Sequence, residues 1–187
     1  MGHEADIIEE LTADHRAVQR LFDQIRAAAP GSHARKELVE QATIELVRHS
    51  TVEKEYLYPA VRDHVVDGDQ WADRELADHA EVEQLLRELD ETGPDDARFV
   101  PLTLSLMTLV TDHVREEEQR LFPRLQALCP PDLLQRLGDR VRTARKATPT
   151  RPRPRALDSP RANKLTAPPL SLWDSVRDAL SGRGQRR

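Results

Sequence analysis

The chain repeats itself at a constant offset of 64 residues, and the residues that repeat include ones a protein seldom buries unpaired. Ala13-Asp14-His15 falls on Ala77-Asp78-His79, Val18 on Val82 and Leu21 on Leu85. Further along, His49 falls on His113, Glu53 on Glu117, Leu57 on Leu121, Tyr58 on Phe122 and Pro59 on Pro123. The longest matching stretches are HSTVEKEYLYP over 49–59 and HVREEEQRLFP over 113–123. Such a pattern describes two copies of one helical hairpin related by an approximate twofold axis.

The apolar spacing between these landmarks is helical throughout. A first segment, about 4–28, carries Ile8, Leu11, Val18, Phe22 and Ile25 in steps of three and four, and stops before Pro30-Gly31. Helices are expected over about 34–65, 70–91 and 96–127, separated by Asp67-Gly68 and Thr92-Gly93-Pro94. A fifth begins near Pro131 and fades after Lys146. Short loops between long helices make neighbours antiparallel, so the expected fold is all-α, an up-down-up-down four-helix bundle with an extra C-terminal helix. Residues 1–146 form this unit. Residues 147–187 read as a basic, Pro-rich tail ending in a short amphipathic helix over 171–181. That last helix gathers Leu172, Trp173, Val176, Ala179 and Leu180 on one face, which is expected to dock on the bundle.

Charge divides at the same boundary. Residues 1–141 hold 16 Lys+Arg against 30 Asp+Glu, whereas residues 142–187 hold 12 against 3. An acidic body argues against nucleic acid as its partner; the basic tail, with its Arg151-Pro-Arg-Pro-Arg run, suits the bundle itself or an acidic protein partner. The single cysteine, Cys129, cannot pair within the chain. No stretch approaches the roughly 20 apolar residues of a membrane span, and the acidic N-terminus is unlike a secretory signal. These features make a cytoplasmic location the expectation.

The repeated polar residues face inward. His15 lies on the apolar stripe of the first helix, and His79 lies between Leu76 and Val82 on the third. His49 and Glu53 are four apart, hence on one face of the second helix; His113 and Glu117 match them on the fourth. Four imidazoles and two carboxylates in one core cross-section would be costly without a partner. Paired bound cations resolve the conflict, since imidazole nitrogens donate lone pairs and the carboxylates offset positive charge. Mixed nitrogen and oxygen donors suit iron better than magnesium or calcium.

His15, His49-x-x-x-Glu53, His79 and His113-x-x-x-Glu117 resemble the signature of the hemerythrin-like, HHE cation-binding family, over about residues 4–127. The prolines closing LYP and LFP are similar to that family's pattern too, and the tail's ANKL and VRDALSG stretches resemble extensions of a bacterial branch. The resemblance implies two iron ions, oxo- or hydroxo-bridged, with His15 and His49 on one, His79 and His113 on the other, and Glu53 and Glu117 bridging. Oxygen carriers of this kind are expected to add a histidine four residues after His79, where this chain has Glu83. Glu83 is therefore either an additional metal ligand or a surface glutamate. The departure speaks against simple oxygen carriage. It favours a non-haem di-iron protein that binds or reacts with a small oxidant (dioxygen, peroxide or nitric oxide), catalase-like peroxide removal being the enzymatic form. The alternatives are an iron- or oxygen-sensing or iron-storing module acting through a protein partner, and a structural bundle holding zinc or manganese.

Other polar residues carry less. His3, His33 and His64 read as solvent residues, and Tyr56 as a core residue near Glu53. Asp14, Asp78 and Asp112 each precede a candidate histidine and so point away from it. No Ser-His-Asp set, phosphate-binding loop or Cys-x-x-Cys pair is present.

Overall fold

The computed structural model describes residues 5–145; the tail and its expected helix over 171–181 lie outside the described residues. Helix α1 (Ile7–Ala27) starts with a reciprocal cap: Glu9 N–H donates to the Asp6 carboxylate and Asp6 N–H to that of Glu9, both at 2.9 Å. Its buried stripe is Ile7, Leu11, His15, Val18, Phe22 and Ile25. Ser32 caps α2 (His33–Val52), which runs on through a π-turn, Glu53–Leu57, into α3 (Tyr58–His64). Helix α4 (Gly68–Asp90) returns along it. Helix α5 (Phe99–Glu116) likewise continues through a π-turn, Glu117–Leu121, into α6 (Phe122–Leu128). Four helical rods thus pack as an up-down-up-down bundle, and α7 (Pro131–Arg145) lies against α1. No helix among the described residues is long and apolar enough to cross a membrane.

The two π-turns are repeat mates and share a cause. Pro59 and Pro123 each come just after one, inside a continuing helix. Proline lacks the N–H for the carbonyl one turn back, and its ring collides with that carbonyl. Widening the preceding turn by one residue absorbs both defects. Tyr58 N–H accordingly bonds to Glu53 C=O, and Phe122 N–H to Glu117 C=O, five residues back rather than four.

Buried apolar side chains fall into two clusters with a polar layer between them. One, around Leu11, Val52, Leu57, Ala72, Leu121 and Leu125, lies toward the π-turn end and is covered by Leu134, Leu137 and Val141 of α7. The other, around Phe22, Ile25, Ala42, Leu86, Phe99 and Leu106, fills the opposite end. Along every rod, the step from one cluster to the other passes through a candidate histidine.

Candidate metal centre

All six residues of the repeated pattern meet in that layer. His15, His49, His79 and His113 are at most 7 % exposed, and Glu53 and Glu117 are 0 % exposed. The Nε2 atoms face each other in two pairs, His15–His49 at 3.2 Å and His79–His113 at 3.1 Å. Glu53 spans the pairs, with Oε1 3.1 Å from His49 Nε2 and Oε2 3.2 Å from His79 Nε2. Glu117 spans them the other way, its Oε2 standing 3.3 Å from His15 Nε2 and 3.6 Å from His113 Nε2. Groupings of His15, His49, Glu53 and Glu117, and of Glu53, His79 and His113, bring donor atoms close enough to share an ion.

The donor set fits cations. Both oxygens of Glu53 and one of Glu117 are buried without a hydrogen bond, an arrangement that costs a few kcal/mol per group unless another charge intervenes. Two imidazoles bound to one ion at about 2.1 Å and near a right angle have their nitrogens about 3 Å apart, close to the spacing within each pair. Without an ion, protons fill part of the role. Burial opposes charge on His49, but the Glu53 carboxylate, Asp14 and Glu117 outweigh it and raise it to about 10. Burial likewise opposes charge on His113, yet Glu117, Glu75 and Glu53 raise it to about 9. At His79 burial wins and lowers it to about 4. Glu53 is held well below the usual carboxylate range despite its burial, chiefly by His49.

Several neighbours of the cluster were not foreseen. Glu118 Oε1 lies 2.9 Å from His15 Nδ1. Asp14 does not serve its neighbour His15 but reaches across to α2, its Oδ2 3.6 Å from His49 Nδ1. Glu75, 0 % exposed, stands one turn before His79 with Oε2 2.9 Å from His113 Nδ1. Its repeat mate is Leu11, so comparing the two halves hides it; its spacing of four from His79 was the available signal. Tyr58, not Tyr56, enters the layer. Its hydroxyl is 3.1 Å from His79 Nε2 and 3.4 Å from Glu117 Oε1, and burial pushes it well above the usual phenol range. The π-turn causes this exchange by rotating the helix beyond Glu53, and Tyr56 is left donating to Glu55.

Glu83 is not drawn into the cluster. Its carboxylate meets Lys54 Nζ at 2.7 Å and Arg87 at 3.8 Å. It borders instead a cavity of about 30 Å³ on the other side of the imidazoles, walled by Val18, Leu46, Val82, Leu86 and Val110. That volume accommodates one water-sized or diatomic molecule. His33 and His64 are exposed, as expected, and His33 is the first residue of α2. His3 lies outside the described residues.

Comparison with known proteins agrees with this architecture. Residues 6–125 match the model of the hemerythrin HHE cation binding domain. A Nostoc sp. protein described as a DNA nickase is 30 % identical over 122 residues, which make up 65 % of this chain and 34 % of that protein. The chain thus spans about a third of the length of this curated relative. The crystal structure of a hemerythrin HHE cation binding domain-containing protein from Mycobacterium kansasii superposes with a TM-score of 0.67 at 23 % identity, covering 76 % of this chain and 86 % of that one. With the family model covering most of the bundle and all six inward residues in one buried layer, this chain belongs to the hemerythrin HHE cation-binding family.

Proposed function

We propose that the chain is a non-haem di-iron protein that binds or reacts with a small oxidant such as dioxygen, peroxide or nitric oxide. One observation carries this reading: each of two buried glutamates touches both imidazole pairs, the arrangement a pair of bridged ions requires. In it, His15 and His49 would hold one iron and His79 and His113 the other, with the Glu53 and Glu117 carboxylates shared between them. Glu118 hydrogen-bonds the outer nitrogen of His15 and orients that ring, while Asp14 and Glu75 set a carboxylate beside the outer nitrogens of His49 and His113. Bound iron would supply reversible one-electron chemistry toward the oxidant. The residues do the rest. The apolar cavity walls admit a small neutral molecule and keep bulk water out. Tyr58 places a hydroxyl proton beside His79 and Glu117, within reach of a ligand in the layer.

Metal quantitation and an optical spectrum of aerobically purified protein test the reading, with about two irons per chain and oxo-bridge charge-transfer bands expected. Zinc or manganese in iron's place would overturn it in favour of a structural bundle. Catalase-like turnover is the enzymatic form, and oxygen evolution from peroxide no faster than with free iron removes it.

A sensing role has one specific observation behind it. Arg145, the last residue of α7, binds Asp14 at 2.7 Å, and Asp14 faces His49, so the segment leading into the basic tail is wired to the cluster. DNA nicking is outside this proposal, because an excess of acidic over basic residues across 1–141 repels a phosphate backbone.

A further inference from the structure

We propose that the two halves of the centre hold their ions unequally, and that the His79–His113 half is the one that takes up and gives up its ion. The proposal rests on the di-iron reading above and goes beyond it by assigning a function, metal exchange, to one half.

The internal repeat supplies a comparison within the same molecule. His49 and His113 are mates, and each has a carboxylate opposite its Nδ1, Asp14 at 3.6 Å and Glu75 at 2.9 Å. His15 and His79 are also mates, and here the halves part. His15 Nδ1 meets the Glu118 carboxylate at 2.9 Å. The residue 64 positions earlier than Glu118 is Lys54, a cation, and it turns away to Glu83. His79 Nδ1 is left buried with no hydrogen bond. The inner face differs as well. Phe122 stacks on His15, ring centroids 5.8 Å apart and planes 6° from parallel, which holds that ring in place. Its mate Tyr58 instead sets a hydroxyl 3.1 Å from His79 Nε2, the atom whose lone pair an ion needs. His79 thus has no acceptor to orient it, an ammonium group nearby and a competitor at its donor atom. Losing the outer acceptor of a metal-bound histidine typically weakens binding about 10- to 100-fold.

The experiment uses the full chain loaded anaerobically with iron(II), then mixed with excess chromogenic ferrous chelator. Wild type is expected to release its iron in two phases of equal amplitude, with rates about 10- to 100-fold apart. Lys54→Glu, which copies Glu118, should slow the fast phase toward the slow one and leave the slow phase alone. Tyr58→Phe, which copies Phe122, should act in the same direction through the other face of His79. Circular dichroism checks that both variants fold, and neither change asks the bundle for a residue that its own repeat does not already carry. Fewer than two irons bound before the chelator is added would overturn the di-iron reading and this inference with it. Two irons leaving in a single phase, or a fast phase indifferent to both substitutions, would overturn this inference alone.

Discussion

At the residue scale, the four imidazoles look alike in sequence but not in electrostatics. His49, at about 10, and His113, at about 9, carry protons at neutral pH in the metal-free protein, whereas His79, at about 4, does not. Burial opposes charge on His15 too, yet Glu117 and Glu118 raise it above its ordinary value, so a cation entering the layer must displace at least the two protons on His49 and His113. Iron(II) uptake at pH 7 in weak buffer should therefore release at least about two protons per chain, and apparent affinity should rise at least about a hundredfold per pH unit between pH 6 and 8. Proton-free, pH-independent uptake would show that the imidazoles are neutral beforehand. The same values set the sign for folding. Both groups are raised above their ordinary 6.5, so the stability they lend the metal-free bundle is full below pH 6.5 and is lost as pH climbs through about 9 and 10. Removing His49 by alanine should lower iron content and also leave the buried Glu53 carboxylate without its charged partner, a loss of about 3–5 kcal/mol by chemical denaturation. The six inward residues were legible because they repeat. Glu75, Glu118 and Tyr58 were not, because they are where the halves differ: their mates are Leu11, Lys54 and Phe122.

At the scale of elements, helix existence was readable and helix phase was not. The segment expected over 70–91 is Gly68–Asp90, and the one expected over about 4–28 is Ile7–Ala27, since caps, glycines and prolines mark ends locally. An α-helical count outward from Glu53 selects Tyr56 for the core, yet Tyr58 is 1 % exposed and buried in it. One extra residue in a helix turns everything beyond it by about 100°, and nothing in the apolar pattern announces the insertion except the proline at its end. Deleting Glu55 should therefore restore an α-helical turn that puts Tyr58 four residues after Glu53, with Tyr58 and Val61 keeping their places in the core. His49 and Glu53 precede the deletion and stay in place. The expected result is a melting temperature close to that of wild type with iron binding kept, measured on the same preparation. A collapse of the melting temperature would mean that the extra residue is not absorbed at the π-turn and that the turn does not set the phase of α3.

At the scale of the molecule, α7 is more than a lid on an exposed bundle end. Gly138 lets it approach α1 so closely that an added Cβ would lie 2.5 Å from the Ala5 carbonyl oxygen. That approach brings Arg142 and Arg145 onto Glu10, at 2.8 and 2.6 Å, and Arg145 onto Asp14 at 2.7 Å. Asp14 is thereby fixed between a guanidinium on α7 and the outer nitrogen of His49 on α2. Mechanical continuity thus runs from the last described helix, through one carboxylate, to the half of the centre proposed to keep its ion. Arg145→Ala tests that continuity. Arg145 is about a quarter exposed, so the direct loss of stability should be small, on the order of 1 kcal/mol. The informative readout is iron release: with Asp14 no longer anchored, the slow phase should quicken several-fold while the fast phase, governed at His79, stays as it was. A slow phase that does not respond would leave α7 as packing alone, and would remove the physical route by which anything bound to the basic tail could report on the metal centre.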